Sequence, residues 1–383
     1  MHDRFHVHSR RDFFAMAFKG ALVGASLIEE AFLRATWARA QSAGASTNLF
    51  TIEKVADGVY AALAKPQIMI NCNAAIFVNS NDVVVVDAHS KPSASAALVA
   101  QIKKEVTTKS VRYLVNTHFH WDHTQGNATY KKTGSKVDII ASDTTKQLMT
   151  QLARNRAKES LDGVPKQIDD LQSRAAKTTS AADRARYQDL IRQLEAYQAE
   201  MKSYTLELPT ITFAKSYVLK DNAGDLHIEF HGRAHTAGDV MVFSPQKRVM
   251  ASGDAISGFL PSMADGYPRP WPATINSAGQ WAFDQIIAGH GPVQHDRSRM
   301  MHLRDYIEEL TARVEEGKKA GRPLAELQKT FTIASFKSLQ ANGYAGYVAG
   351  NMEKLTVYLG QKTALEDRLA ANISDVYNNL DRV

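Results

Sequence analysis

The sequence predicts an α/β fold in which two mixed β-sheets pack face to face and helices cover their outer faces. Residues 50–87 hold short apolar runs separated by turn residues, as expected of a β-meander. A helical pattern then leads into another apolar strand, and residues 209–252 return to short strands. Because both halves run from strands into polar loops, they predict two layers of sheet. A chain of 383 residues, 44% of them hydrophobic, is long enough for such a core.

The first half begins with hairpins and continues with a crossover. Asp57–Gly58 is predicted to be a hairpin turn between two apolar runs, and residues 79–82 form the next turn. Residues 93–106 have helical apolar spacing, and residues 111–115 form a run rich in β-branched and aromatic residues that predicts a buried strand. A strand, a helix and a strand with short connections predict a parallel pair in one sheet.

A cluster of metal-ligating residue types follows this strand directly: His118, His120, Asp122 and His123. In an extended segment alternate side chains share a face, so His118 and His120 can bind one ion. Asp122 and His123, beyond a bend, can face a second ion. Mixed imidazole and carboxylate ligands suit zinc, iron or manganese. The alternative is three exposed histidines on a loop, but the motif has the strand context that it needs.

The HFHWDH motif resembles that of the metallo-β-lactamase superfamily of hydrolases, and the resemblance covers roughly residues 50–295. It implies an αββα sandwich and three further metal ligands, each just after a strand. Residues of the right type are present: His235 in AHTAGD, Asp254 in ASGD and His290 in AGHG.

The resemblance also implies how these residues share two metal ions. His118, His120 and His235 would bind the first ion. Asp122, His123 and His290 would bind the second, and Asp254 would bridge both. Asp87, which follows four consecutive valines, is implied to support the histidine loop rather than to bind metal.

The implied activity is that of a dinuclear metal-dependent hydrolase. Two Zn²⁺ ions are expected, with Fe or Mn as alternatives, and they would share a bridging hydroxide whose pKa falls toward neutrality. Asp122 would act as the catalytic residue that orients this hydroxide and carries a proton to the leaving group. The expected small-molecule substrate is of the carbonyl type, a lactam or a thioester, or a related ester. No GxSxG motif of a serine hydrolase occurs.

The branch of the superfamily is less closely defined than its chemistry. An aspartate at position 254, rather than a serine or cysteine, resembles the glyoxalase-II-like and thioesterase-like branch, and some exported relatives resemble accessory factors of periplasmic quinoprotein metabolism. Two other classes remain open: a mononuclear iron sulfur dioxygenase and a non-catalytic periplasmic metal-binding accessory protein. The fold alone does not choose among them. The identity of the bound metal and a requirement for oxygen would distinguish the dioxygenase from a hydrolase. Turnover of a substrate would exclude the accessory protein.

Two helical additions are predicted around a domain of residues 47–297. Residues 157–204 are charged and show helical spacing, which predicts an inserted helical hairpin. One interpretation is a solvated pair of helices that packs on the main domain. The other is a pair that overhangs the metal site or makes a dimer contact. Residues 298–383 predict a C-terminal helical extension for core packing or a homodimer. Its expected helices are 299–316, 324–331 and 352–380, with breaks at 317–323 and 342–350.

Residues 255–275 form a long loop that contains glycines, prolines and aromatic residues. Long loops of this kind in a compact domain are often functional. Phe259, Tyr267 and Trp271 are therefore candidates for one wall of the substrate pocket, and residues 66–73 for the opposite wall. The alternative is that the three aromatic side chains seal the edge of the core.

Residues 1–46 resemble a twin-arginine export signal. Arg10–Arg11 precede two phenylalanines, and the apolar stretch of residues 15–28 is too short for an ordinary transmembrane helix. Residues 38–40 fit a small-x-small cleavage site. The sequence thus predicts a periplasmic mature protein without a stable membrane span; the alternative is an amphipathic helix that stays attached.

The remaining composition limits other functions. The net charge of +6 is modest, and the sequence contains no long run of Lys or Arg, so nucleic-acid binding is not expected. Cys72 is the single cysteine, which excludes an intrachain disulfide. It is predicted to be a small buried residue and not a metal ligand. His89 is predicted to lie in a surface loop.

Overall fold

A computed structural model describes residues 49–132, 136–359 and 365–382 of the protein. The export segment predicted over residues 1–46 lies outside the described residues, and both it and the periplasmic location stay predictions. Among the described residues, every helix is too short or too polar to cross a membrane.

The first sheet contains the predicted β-meander and the strand before the metal-ligand motif. Within the described residues it has seven strands: β1 (Phe50–Ala56), β2 (Val59–Ala64), β3 (Ala74–Val78), β4 (Val83–Val86), β5 (Val111–Val115), β6 (Asp138–Ser142) and β7 (Ile211–Phe213). The strands lie in chain order. The first four pair antiparallel, and β4 through β7 pair parallel, as the predicted crossover requires. Gly58 in the first turn has a φ of 70°, which glycine adopts without strain.

The second sheet comes from the second half of the chain. Among the described residues its five strands are β8 (Ser216–Leu219), β9 (Leu226–Glu229), β10 (Met241–Ser244), β11 (Val249–Gly253) and β12 (Gln285–Ala288). Their order in the sheet is β12-β11-β10-β9-β8. Neighbours are antiparallel except β11 and β12, which are parallel.

Helices cover both sheets. Those in the described residues are α1 (Pro92–Glu105), α2 (Trp121–Thr124), α3 (Asn127–Lys131), α4 (Asp143–Leu148), α5 (Arg154–Lys177), α6 (Ala181–Met201), α7 (Trp271–Ala278), α8 (Ser298–Lys319), α9 (Leu324–Thr330), α10 (Lys337–Gln340), α11 (Tyr344–Leu359) and α12 (Leu365–Asn379). One π-helical turn, Met149–Ala153, joins α4 to α5, and short 3₁₀ turns occupy Ile333–Ser335 and Ala341–Gly343.

Alternate strand residues enter different hydrophobic cores, which is what makes the two sheets a sandwich. In β4, Val84 and Val86 pack in a core shared with Val242 of the second sheet. Val83 and Val85 point the other way, into a core shared with α1. A third core covers the outer face of the second sheet with α7, α8, α11 and α12. The predicted αββα sandwich of two mixed sheets with outer helices is confirmed.

Helices α5 and α6 pack against each other where a helical hairpin was predicted. Their buried side chains, among them Leu171, Leu190 and Leu194, form a small core with Ile68 and Ile70 of the segment between β2 and β3. The pair is therefore in direct contact with a segment that was predicted to border the substrate pocket. The division of the chain into domains stays a prediction.

The C-terminal helices differ from the prediction in their boundaries. The expected break over residues 342–350 is wrong beyond Gly343, because α11 begins at Tyr344 and includes Gly346 and Gly350. Each glycine costs a helix roughly 1 kcal/mol relative to alanine. Burial of Tyr344 and Val348 in the core beside the second sheet outweighs that cost. The predicted helix over residues 352–380 is divided between α11 and α12, and residues 360–364 lie outside the described residues.

Candidate metal centre

The loop after β5 is fixed by buried amides. Asn116, the first residue past the strand, donates its side-chain N–H groups to the backbone oxygen of His123 (3.2 Å) and to Asn127 Oδ1 (3.0 Å). Helix α2 then begins, so the chain bends between His120 and Asp122, as predicted. The bend turns the two halves of the motif toward different neighbours.

The first group of side chains consists of His118, His120 and His235, whose ligand-type atoms lie within 4.8 Å of one another. His235 Nε2 is 2.9 Å from His120 Nδ1. Burial and the neighbouring imidazoles lower the pKa of His118 well below its usual range and that of His235 to about 3. Both rings are therefore neutral, which is the form that binds a metal ion.

The second group consists of Asp122, His123, Asp254 and His290. His290 Nε2 lies 3.1 Å from Asp122 Oδ2 and 3.4 Å from Asp254 Oδ2. His123 Nε2 lies 3.4 Å from both Asp122 Oδ2 and Asp254 Oδ1. Asp254 Oδ2 is also 3.6 Å from His235 Nε2 in the first group. The Asp254 carboxylate thus lies between the two groups, where the resemblance places a bridging ligand.

Opposite charges face each other in the second group. Burial alone would raise the pKa of Asp122 and Asp254, but His123 and His290 hold both values well below the usual range. Burial alone would lower the pKa of His290, but Asp254 and Asp122 raise it to about 10. Metal binding at His290 therefore requires the release of a proton.

The donor atoms of both groups fit a metal ion. His118 Nε2, His123 Nε2 and Asp254 Oδ1 are buried and have no hydrogen-bond partner among the described residues. Buried polar atoms in proteins are nearly always paired, so a cluster of unpaired ones marks a site for a ligand. Imidazole nitrogen and carboxylate oxygen are ligands for zinc, iron and manganese.

Comparison with known proteins agrees with this geometry. A family model described as "Metallo-beta-lactamase superfamily" matches residues 69–282, which is more than half of the chain. The chain belongs to this superfamily. Its members are typically metal-dependent hydrolases.

Two solved structures of metallo-β-lactamases are also similar to the chain. One, from Pontibacter korlensis, shares 18% sequence identity at a TM-score of 0.49, covering 68% of this chain and 99% of that one. The other, from Erythrobacter litoralis with β-mercaptoethanol in its active site, shares 17% identity at a TM-score of 0.49, covering 68% and 97%.

Asp87 lies behind the histidine loop, as the superfamily resemblance implied. Its Oδ2 is 2.8 Å from His123 Nδ1, and its Oδ1 accepts a hydrogen bond from the backbone N–H of Thr117 (2.8 Å). Asp87 has a φ of 71°, a conformation that L-residues adopt rarely. The contact with Nδ1 leaves His123 Nε2 directed at the second group.

Cys72 and His89 complete the wall behind Asp87. Cys72 is buried as predicted, and burial raises the pKa of its thiol to about 12. Cys72, Asp87 and His123 form a third group that is close enough to hold an ion, but a thiol in that state is a poor ligand. The predicted surface position of His89 is wrong. Its ring is fully buried, packs on Phe50 and donates a hydrogen bond from Nδ1 to the Cys72 backbone oxygen (2.9 Å).

The three aromatic candidates for the pocket wall occupy different places. Phe259 stacks on the His290 ring at a centroid distance of 6.0 Å and borders a cavity next to it. Trp271 is fully buried behind His235, with its indole N–H donated to the Ala255 backbone oxygen. Tyr267 packs under the Arg233 guanidinium instead. Of the three, only Phe259 borders this cavity.

Two residues of this centre were not singled out from the sequence. Asp265, in the loop after β11, lies 2.8 Å from His120 Nε2 through its Oδ2. Arg156, in the first turn of α5, donates two hydrogen bonds to the same carboxylate. Burial would raise the pKa of Asp265, but Arg156 and His120 hold it well below its usual range. The loop of residues 255–275 was predicted to be functional, but nothing in its sequence distinguished Asp265 from its neighbours.

Proposed function

We propose that the protein is a dinuclear metal-dependent hydrolase. The observation that carries this proposal is the position of Asp254, within 3.4 Å of His123 and His290 and within 3.6 Å of His235. One carboxylate in contact with two groups of ligands is the arrangement that a pair of metal ions requires. Membership in the superfamily supports the same class of reaction.

The residues that would hold the metal ions follow from the two groups. His118, His120 and His235 would bind one ion, Asp122, His123 and His290 the other, and Asp254 both. When bound, such ions supply a nucleophile from water at neutral pH and polarise the substrate's oxygen.

The side chains of the protein prepare this centre in three ways. Asp87 orients His123, and Asp265 orients His120, each by contact with the ring nitrogen that faces away from the ligand group. The low pKa of Asp122 keeps its carboxylate charged, so it can orient the attacking water as an acceptor. Asp122 would pass the proton that the attacking water releases on to the leaving group, since a weakly basic carboxylate gives up a proton readily.

The cavity beside His290 suggests the size and polarity of the substrate. Its volume is about 210 Å³, and Phe259 forms an apolar side of it. Asn71 lines the cavity, and its buried Nδ2 has no hydrogen-bond partner among the described residues, which makes it a candidate donor to a substrate carbonyl. Lys65 and Lys354 also line it. We infer a small carbonyl-type substrate, a lactam, thioester or related ester, that carries a negative charge.

The first test measures metal content and turnover together. We expect about two zinc ions per chain by elemental analysis of protein purified without chelator. The same sample is assayed against lactams, thioesters and esters, each in a negatively charged and a neutral version. The charged version of the cleaved substrate should show the lower KM.

A variant at a metal-ligand position tests whether turnover depends on the bound metal. His120→Ala should lose metal and turnover while the circular dichroism spectrum is retained, because the ring lies at the site and not in a hydrophobic core. His295→Ala is the matched control, since His295 is exposed and belongs to neither ligand group. One iron per chain with oxygen-dependent turnover would overturn the proposal in favour of a sulfur dioxygenase. Two metal ions without turnover on any substrate would favour an accessory protein.

A further inference from the structure

His120 uses its two ring nitrogens for two different contacts. Nδ1 faces the first ligand group, 2.9 Å from His235 Nε2, and Nε2 faces Asp265 Oδ2 at 2.8 Å. A carboxylate only accepts hydrogen bonds, so Nε2 carries the proton and Nδ1 keeps its lone pair for the group. Asp265 thereby selects the tautomer of His120 that can bind metal through Nδ1.

Arg156 holds Asp265 in place for this contact. Its two terminal nitrogens lie 2.6 Å and 2.8 Å from the two oxygens of the Asp265 carboxylate. The same guanidinium lies over the ring of Phe119, 4.9 Å from its centroid. Phe119 is the residue between His118 and His120, so Arg156 contacts both the carboxylate and the histidine loop. A planar guanidinium suits such a double contact better than an ammonium group does.

The loop that carries Asp265 is fastened from the opposite side by the end of α12. Asn379 donates its side-chain N–H groups to the backbone oxygens of Met263 (2.9 Å) and Ala264 (3.0 Å), and Arg382 donates to Ala264 (3.1 Å). Helix α5 thus contacts Asp265 itself, and the end of α12 holds the two residues that precede it. Asp265 has little freedom to follow His120 if the ring turns.

We infer that Arg156 and Asp265 are positioning residues for His120, and that the α5–α6 pair serves the metal centre through Arg156. Asp265 fixes the orientation and tautomer of the ring, and Arg156 fixes Asp265. The inference rests on the proposed function, because it requires that His120 binds metal. It gives the inserted helices a role that packing on the body alone does not.

The experiment measures zinc affinity of the full-length chain by competition with a chromophoric chelator. Asp265→Asn keeps the shape of the side chain but removes its charge. Arg156→Met removes the guanidinium that binds the Asp265 carboxylate. We expect each to weaken the binding of one of the two zinc ions by about 10- to 100-fold, as loss of such supporting contacts typically does. Arg156→Lys should recover only part of the affinity, because one ammonium group cannot grip both oxygens.

A second ion pair of the same geometry provides the control. Arg248 and Asp284 form a bidentate contact of 2.5 Å and 2.7 Å on the surface of the protein, away from the metal centre. Asp284→Asn should leave zinc affinity unchanged. The melting temperature of each metal-free variant is measured beside its affinity, because a role in folding alone would lower that temperature without selective loss of one zinc ion. If Asp265→Asn fails to fold, the half-exposed Arg156 variants decide the question.

The outcomes separate this inference from the proposed function. Wild-type affinity in both Asp265→Asn and Arg156→Met would overturn the positioning role. A wild-type chain that binds two zinc ions but cleaves no substrate would overturn the hydrolase proposal and leave the positioning role standing. A raised KM with unchanged zinc affinity in Arg156→Met would assign Arg156 to the substrate instead, and the inference would fail. A wild-type chain that binds no zinc would overturn both.

Discussion

At the scale of single residues, the strongest sequence signal and the strongest geometric feature coincide. The HFHWDH motif placed four potential ligands within six residues, and the structure brings His235, Asp254 and His290 to them. The sequence did not predict Asp265 and Arg156 as site residues, for a physical reason. They are 109 residues apart, and neither belongs to a motif. A bidentate contact between distant segments has no local pattern in the sequence.

Gly289 tests whether Asp254 must lie where it does. A Cβ atom at this position would come within 2.0 Å of Asp254 Oδ1 and 2.9 Å of the Gly253 backbone. Gly289→Ala should therefore displace the carboxylate that joins the two ligand groups. We expect zinc affinity, measured by chelator competition, to fall by about 10- to 100-fold.

The matched control is Gly346→Ala, where a Cβ atom would meet no atom within 4 Å and the residue lies inside α11. This variant should keep full zinc affinity and gain about 0.5–1 kcal/mol in its free energy of unfolding. Undiminished zinc affinity in Gly289→Ala would show that Asp254 is dispensable as a ligand.

At the scale of elements, the sequence predicted strands more reliably than loops and helix ends. The four valines of β4 could only be a strand buried on both faces. The glycines near residue 346 suggested a break because local propensity favours one, and tertiary packing overrode it. His89 looked exposed because it follows a strand end, but a φ of 61° turns it into the core beside Cys72. Such conformations depend on contacts that are distant in the chain.

Lys91 and Glu200 are two buried titratable residues whose charges influence each other between α6 and the first half of the chain. Lys91, just before α1, is fully buried, and so is Glu200 near the end of α6. Burial lowers the pKa of Lys91 to about 7 and raises that of Glu200 to about 10, while the charge of each partner opposes the shift of the other. Removing one partner should leave the other buried without compensation.

We predict that Glu200→Leu lowers the free energy of unfolding by about 1–3 kcal/mol at pH 7, measured by urea denaturation, because the buried Lys91 amine loses the group that favours its protonated form. The double variant Lys91→Met with Glu200→Leu should recover most of this loss, because two apolar side chains replace the pair. Equal losses in the single and the double variant would rule out the pairing.

The pH dependence gives a second readout of the same pair. Lys91 binds its proton more weakly in the folded protein than in the unfolded chain, where its pKa is about 10.5. Glu200 raises the pKa of Lys91, so in Glu200→Leu that pKa falls below 7. From there up to about pH 10.5 the unfolded variant holds the extra proton, and its stability should rise with pH. In the wild type the raised pKa of Glu200 makes the free energy of unfolding fall with pH up to about pH 10. This fall offsets the rise that Lys91 causes. The double variant should show neither slope.

At the scale of the whole molecule, the candidate ligands come from both sheets at one edge of the sandwich. The motif follows β5 of the first sheet, whereas His235, Asp254 and His290 follow β9, β11 and β12 of the second. Ligand sites in α/β folds typically lie at the carboxyl ends of strands. The sequence predicted this convergence because each ligand followed a strand. It could not predict how α5 and α12 hold the loop that carries Asp265, which depends on the packing of helices.

Because the ligands join two sheets, metal removal should loosen the sandwich as a whole. A ligand that binds only the folded state stabilises it by about 4 kcal/mol when its free concentration is 1,000 times its Kd. Treatment with EDTA should therefore lower the melting temperature by several degrees, and added zinc should restore it. The control is a variant that carries both His118→Ala and His290→Ala, one ligand from each group. It should melt at the temperature of the EDTA-treated wild type and respond little to EDTA. An unchanged melting temperature of the wild type after complete metal removal would mean that the two sheets hold together without the centre between them.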